Sequence, residues 1–239
     1  MQVTTGRCGT VDFTCSAPPS KSYTHRALII AALADGESVI FGQLDADDTR
    51  MTARALMQLG IRIDWEEKCI RVRGCGGRLT APADPISIAD SGTSMRLLTA
   101  VSLLADGPVI LTGSRRMQER PLGPLVETLN RAGTDIGYLQ TPGCPPVRIS
   151  GSLPGGEISI EGSISSQFIS SLLIAAPYAA QDSRITITGD LVSLPYIMMT
   201  IGIMEQSGAV VRIKKEPGKN LVLEVSSRDR YVPGTYTVE

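Results

Sequence analysis

One stretch of this chain occurs three times, and a chain built by repetition must fold as copies of one unit that stack on each other. The run Ile86-Ser-Ile-Ala-Asp-Ser-Gly-Thr-Ser-Met-Arg-Leu-Leu returns about 72 residues later as Ile158-Ser-Ile-Glu-Gly-Ser-Ile-Ser-Ser-Gln-Phe-Ile-Ser-Ser-Leu-Leu. A weaker copy starts near Val11 and passes through Ser20, Lys21 and Ser22 into Arg26-Ala-Leu-Ile-Ile. The copies span approximately residues 10–80, 84–152 and 155–228 of a single domain.

Each copy continues in the same order. An apolar helix ends at a small loop: Ala34-Asp35-Gly36, Ala105-Asp106-Gly107 or Gln181-Asp182-Ser183. A β-branched strand follows, Ser38-Val-Ile-Phe, Val109-Ile-Leu-Thr or Arg184-Ile-Thr-Ile-Thr. A second, amphipathic helix then stops at Gly60, Gly133 or Gly208, where glycine takes the left-handed C′ conformation. Two further strands close the unit, as in Ile61-Arg-Ile-Asp-Trp with Cys69-Ile-Arg-Val-Arg. The unit is β-α-β-α-β-β, which predicts an α/β (α+β) domain of sheets covered by helices.

The first helix of each copy is apolar nearly all round: Ala27-Leu-Ile-Ile-Ala-Ala-Leu, Leu97-Leu-Thr-Ala-Val-Ser-Leu-Leu and Ile169-Ser-Ser-Leu-Leu-Ile-Ala-Ala. A helix without a polar face is normally buried. Three of them are expected to pack together with the sheets outside, an inside-out barrel.

Composition narrows the function. With a net charge of −1 and no long Lys/Arg run, the chain offers no nucleic-acid stripe. Aromatics at 4% argue against base-stacking platforms. The five cysteines (Cys8, Cys15, Cys69, Cys75, Cys144) form no C-x-x-C pair, so neither a disulfide framework nor a metal site is expected. No apolar stretch is long enough to span a bilayer, and the chain reads as a cytoplasmic protein with no membrane partner.

Chemistry-bearing residues fall at two equivalent places. At the start of the apolar helix stand Ser20-Lys21-Ser22-x-x-x-Arg26, Asp90-Ser91-Gly92-Thr93-Ser94-x-Arg96 and Ser165-Ser166-Gln167. At the start of the second helix stand Asp47-Asp48-Thr49, Arg116-x-x-Glu119-Arg120-Pro121 and Ser193-x-Pro195-Tyr196. Helix N-termini attract phosphate and carboxylate, and arginine grips both groups bidentately. Serine or aspartate before a helix is first of all an N-cap, and Pro121 and Pro195 suit a first helical turn. Capping accounts for the serines. It does not account for Lys21, Arg26, Arg96 and Arg120 at equivalent corners of converging copies. The only histidine, His25, reads as a packed or exposed neighbour of Arg26 rather than a base, and Trp65 as part of its strand.

Five motifs in order carry a resemblance over almost the whole chain. They are Pro19-Ser20-Lys21-Ser22-Tyr23-Thr24-His25-Arg26, Asp90-Ser91-Gly92-Thr93-Ser94-Met95-Arg96, Glu119-Arg120-Pro121-Leu122-Gly123, Ser165-Ser166-Gln167-Phe168 and Ser193-Leu194-Pro195-Tyr196. Together they resemble the enolpyruvyl transferases of the EPSP synthase (3-phosphoshikimate 1-carboxyvinyltransferase) family. The resemblance implies two lobes, each of three such repeats, and transfer of the enolpyruvyl group of phosphoenolpyruvate to the 5-hydroxyl of shikimate 3-phosphate. That is a step of chorismate and aromatic amino-acid biosynthesis, with no metal and no organic cofactor. It implies shikimate 3-phosphate contacts from Lys21, Ser22, Arg26, Ser165, Ser166, Gln167, Ser193 and Tyr196. Phosphoenolpyruvate contacts are implied for Lys21, Gly92, Arg120 and Gln167, with Lys21 and Arg120 as the residues closest to the chemistry and Arg96 steadying the glycine loop.

Two positions depart from the family pattern: Asp90 stands where Asn is common, and Leu97 where many members have Pro. Residues 229–239 fall where the family chain crosses to its other lobe, which carries the acid–base carboxylates, so the chain reads as one lobe, inactive alone. Related readings differ in their motifs. UDP-N-acetylglucosamine enolpyruvyltransferases have Lys-Asn in place of Lys21-Ser22 and a reactive Cys near residues 116–120. RNA 3′-terminal phosphate cyclases take a polyanion that suits a −1 chain poorly. A non-catalytic anion-binding module is the reading from a different class.

Overall fold

The computed structural model describes residues 14–215 and 221–239, with Gly6, Gly9 and Asp12. Val11, where the first copy was expected to begin, lies outside them, as does Cys8.

The first copy supplies α1 (Lys21–Leu33), β1 (Glu37–Phe41), α2 (Asp47–Gln58), β2 (Arg62–Trp65) and β3 (Cys69–Arg73). The second supplies β4 (Ile86–Ser87), α3 (Gly92–Val101), β5 (Val109–Thr112), α4 (Gly123–Arg131), β6 (Asp135–Tyr138) and β7 (Val147–Ser150). The third supplies β8 (Gly156–Glu161), α5 (Ser166–Ala175), β9 (Ser183–Thr188), α6 (Leu194–Gln206), β10 (Val211–Lys215) and β11 (Leu221–Val225), and β12 (Thr235–Thr237) follows. A 3-10 turn extends α3 and another extends α5.

Three four-stranded sheets share one plan, in the orders β12-β1-β3-β2, β4-β5-β7-β6 and β8-β9-β11-β10. In each, the first pair is parallel and the others antiparallel. The equivalence exposes one difference from the sequence reading. Where the second and third sheets use the strand before their own buried helix, the first sheet uses β12 from the far end of the chain. Residues 229–239, expected to lead out of the domain, close its first sheet, with Val39 opposite Thr235 and Phe41 opposite Thr237.

The helices sort as their sequences demand. From Thr24 to Leu33 every residue of α1 is buried, and α3 and α5 are buried along most of their length. With no polar face to keep in water, each is stabilised only by enclosure, at roughly 1.5–3 kcal/mol per large aliphatic side chain. α1 packs on α3 and α3 on α5, while α6 lies between α5 and α1. The amphipathic α2 and α4 bury one face, with Leu56 and Leu129 inside and Arg54 and Arg131 outside. α6 is apolar on both faces and leaves Leu194 and Met198 exposed. All three second helices end as expected, with Gly60, Gly133 and Gly208 at φ +89°, +105° and +91°. Among the described residues no helix is long and apolar enough to cross a membrane.

Candidate active site

Lys21, Gly92 and Ser166 are the first residues of the three equivalent helices α1, α3 and α5. The serine before each is its cap. Ser20 Oγ accepts from the Tyr23 amide (3.2 Å), Ser91 Oγ from Ser94 (3.4 Å) and Ser165 Oγ from Gln167 (3.3 Å). Capping explains these three serines, and each capped N-terminus is the positive end of its helix.

Cross-links between first turns show that the ends converge. Gln167 joins α5 to α3: its Nε2 donates to Thr93 Oγ1 (3.1 Å) and its Oε1 accepts from Arg96 Nη1 (2.8 Å). Arg26 joins α1 to α5 and α6, donating from Nη2 to Ser170 Oγ (3.0 Å), from Nε to Thr200 Oγ1 (2.6 Å) and from Nη1 to the Ser22 carbonyl (2.9 Å). Thr200 Oγ1 in turn donates to the Tyr196 carbonyl (2.8 Å). Lys21 Nζ reaches Asp48 of α2 at 2.8 Å.

Arg120 sits differently from expectation. It ends a 3-10 turn over Met117–Glu119, three residues before α4, and Pro124 rather than Pro121 occupies the first turn of that helix. Its guanidinium lies against Gly92, where a Cβ would stand 2.4 Å from Arg120 Nη1, and Nη1 donates to the Asp90 carbonyl (3.4 Å). Glycine at position 92 is what admits the arginine to the start of α3.

Electrostatics set this corner apart. Among the described residues, none of Arg26, Arg96 and Arg120 is paired with a carboxylate. Arg26 is 1% exposed, its partners among the described residues are hydroxyls and a carbonyl, and burial pulls its pKa down to about 10. Arg96 is held below the ordinary range first by burial and then by the like charge of Arg120. A buried or crowded cation without a counter-ion is costly. A dianion set among these groups would relieve that cost.

The remaining predicted residues fall around this corner. Ser166 is buried at the N-terminus of α5. Tyr196 is 45% exposed, and Ser193, expected as a cap, makes no capping bond and takes a left-handed φ of 59°. Asp90 turns its carboxylate to the Ser114 hydroxyl, and Leu97 is fully buried in α3. Sequence reasoning placed Thr93 in a motif without giving it a partner, and passed over Ser170 and Thr200, whose partners lie on other helices. A cavity of about 510 Å³ bounded by Glu157, Asp182, Arg212 and Asp229 contains none of the site residues.

His25 is packed rather than exposed. Nδ1 shares a hydrogen bond with Thr52 Oγ1 (2.7 Å), and Nε2 is buried without a partner. Burial lowers its pKa from 6.5 to about 4; Asp48 opposes that shift, while Lys21 and Arg26 add to it. Between those two values the unfolded chain binds the proton and the folded chain does not. The favourable effect is therefore complete above pH 6.5 and declines as the pH falls, at a cost of roughly 3 kcal/mol by pH 4. Urea melts from pH 7 to pH 4 are expected to show a shallower acid loss for His25→Asn than for the wild type. Parallel losses would contradict this.

Comparison with known proteins follows the same residues. Residues 8–239 match the family described as EPSP synthase (3-phosphoshikimate 1-carboxyvinyltransferase). The chain belongs to the EPSP synthase family. It is 68% identical over 239 residues to the 3-phosphoshikimate 1-carboxyvinyltransferase of Methanospirillum hungatei JF-1, covering 100% of this chain and 55% of that protein. With the enzyme of that name from Pectobacterium carotovorum it shares 42% identity over 234 residues, 96% of this chain and 53% of that one. A solved EPSP synthase from Acinetobacter baumannii superposes with a TM-score of 0.80 at 25% identity, over 94% of this chain and 49% of that one. The chain spans about half the length of the curated EPSP synthase relatives it matches.

Proposed function

We propose that this chain is the shikimate 3-phosphate-binding lobe of an EPSP synthase. The observation that carries the reading is the convergence of three capped helix N-termini with Arg26, Arg96 and Arg120, none of them paired with a carboxylate among the described residues. Enolpyruvyl transfer needs such a place, because two phosphorylated substrates must lie side by side and fixed cations offset their repulsion. In this reading Ser165, Ser166, Gln167, Ser193 and Tyr196 hold shikimate 3-phosphate, with Ser22 and Arg26 on its ring side. Lys21 stands between the substrates, and Arg120, Gly92 and Gln167 face phosphoenolpyruvate. The three repeats form an inside-out barrel lobe in the cytoplasm.

Turnover also requires a base for the 5-hydroxyl proton and an acid for the methylene carbon. We assign both, with further cations, to the second half that the longer relatives have. Asp48, a carboxylate at this corner, is held by Lys21.

Titration of the chain with shikimate 3-phosphate, followed by amide chemical shifts, tests the reading. Weak, salt-sensitive binding is expected, with shifts centred on Ser22, Arg26 and residues 165–167. Losing a hydrogen bond to a charged group costs about 1.5–3 kcal/mol, so Ser166→Ala should weaken binding roughly ten- to a hundredfold. Tighter binding of UDP-N-acetylglucosamine, or shifts confined to other surfaces, would overturn it.

A further inference from the structure

Two rungs join α1 to α2, one helical turn apart. The outer rung is the ion pair of Lys21 with Asp48 (2.8 Å), whose side chains are 48% and 32% exposed. The inner rung is His25 Nδ1 with Thr52 Oγ1 (2.7 Å), and both residues are fully buried. Residues four apart share a helix face, so Lys21 and His25 look across at Asp48 and Thr52 in register. Exposed ion pairs contribute little and hold loosely. The buried inner rung holds α1 and α2 in register one turn from Lys21, beside the Ser20 cap of α1.

That rung continues to α3. Thr52 Oγ1 lies 2.6 Å from Ser94 Oγ, and Ser94 Oγ lies 2.6 Å from Ser91 Oγ, the cap that sets Gly92 at the start of α3. Ser94 Oγ also donates to the Asp48 carbonyl at 3.4 Å. Hydroxyl contacts at 2.6 Å admit either donor. In one direction His25 donates from Nδ1 to Thr52, Thr52 donates to Ser94, and Ser94 donates to Ser91 or to the Asp48 carbonyl, a group that only accepts.

We infer that His25, as the Nδ1–H tautomer, is a positioning residue: through Thr52 and Ser94 it fixes the starts of α1, α2 and α3, and with them the aim of Lys21 and the seat of Gly92. The consequence for ligand binding rests on the function proposed above; the consequence for the free protein does not.

The chain has a single histidine, so its imidazole nitrogen spectrum needs no assignment. Nitrogen-15 spectra at neutral pH are expected to show a protonated Nδ1 and a bare Nε2, and Thr52→Val should shift Nδ1. His25→Leu removes the donor, whereas His25→Asn places an N–H the same number of bonds from Cα. Amide resonances of Asp48 and Gly92 should move in His25→Leu and Thr52→Val and return in His25→Asn. Shikimate 3-phosphate affinity should fall about tenfold or more in the first two and recover in the third, a change of about 1.4 kcal/mol per factor of ten. Should His25→Leu fail to fold, Thr52→Val, which keeps the shape of the side chain, decides alone. A proton on Nε2, or unmoved Asp48 and Gly92 amides, would overturn the inference. Absence of binding by the wild type would instead count against the proposed function, and the free-protein spectra would still judge His25.

Discussion

A chain ending at Ser227 is expected to lose its cooperative melt. The removed residues include β12, which supplies the parallel edge strand of the first sheet. Tyr231 and Tyr236 are 2% and 1% exposed, and each is anchored by its hydroxyl. Tyr231 Oη donates to the Ile174 carbonyl (3.0 Å), and Tyr236 Oη shares a bond with Ser207 Oγ (2.9 Å). Backbone bonds fasten the same segment at Ser207, Phe41 and Ser20, each at 2.9 Å. Tyr178 adds to the clasp, accepting from the Tyr231 amide and donating to the Leu33 carbonyl. Removing one buried aromatic side chain costs about 3–5 kcal/mol, against roughly 5–15 kcal/mol for a whole domain. Tyr231→Ala alone should therefore lower the urea midpoint by a large part of its value, whereas Tyr231→Phe should cost only about 1 kcal/mol of stability and move the midpoint little. Circular dichroism and dye binding measure both. A truncated chain that melts cooperatively at the wild-type midpoint would show that β12 is dispensable.

This segment also marks a boundary of what the sequence reveals. Period and polarity are local properties, so the three copies, their buried helices and the C′ glycines were legible from residues close in sequence. Strand β12 belongs to the first copy by pairing alone, and nothing local in Thr235-Tyr-Thr says that its partner is Val39. The site divides the same way. Motif residues such as Lys21, Gly92, Arg120 and Gln167 were identifiable from spacing and family resemblance. Their structural partners were not: Asp48 opposite Lys21, Thr93 opposite Gln167, and Ser170 and Thr200 around Arg26 meet only once helices from different copies pack. Position 120 shows a third limit. Arg-Pro before an apolar run reads as a helix start, yet a 3-10 turn ends there and the helix waits for Gly123. Propensity fixes the type of an element better than its first residue.

The central claim is that this chain holds one half of an enolpyruvyl-transfer site, and phosphate release tests it most directly. With shikimate 3-phosphate and phosphoenolpyruvate at saturating concentrations, the purified chain alone is expected to release no phosphate. Lys21 is exposed and Arg120 half-buried, so both cations are partly screened, and the proposed acid and base lie on the other half. Adding the separately prepared other half of the 68%-identical Methanospirillum hungatei relative should start release, because the matched half is the part this chain replaces. Lys21→Ala or Arg120→Ala should abolish the rescue while leaving the melting curve in place. Phosphate release by the 239-residue chain on its own would contradict the account.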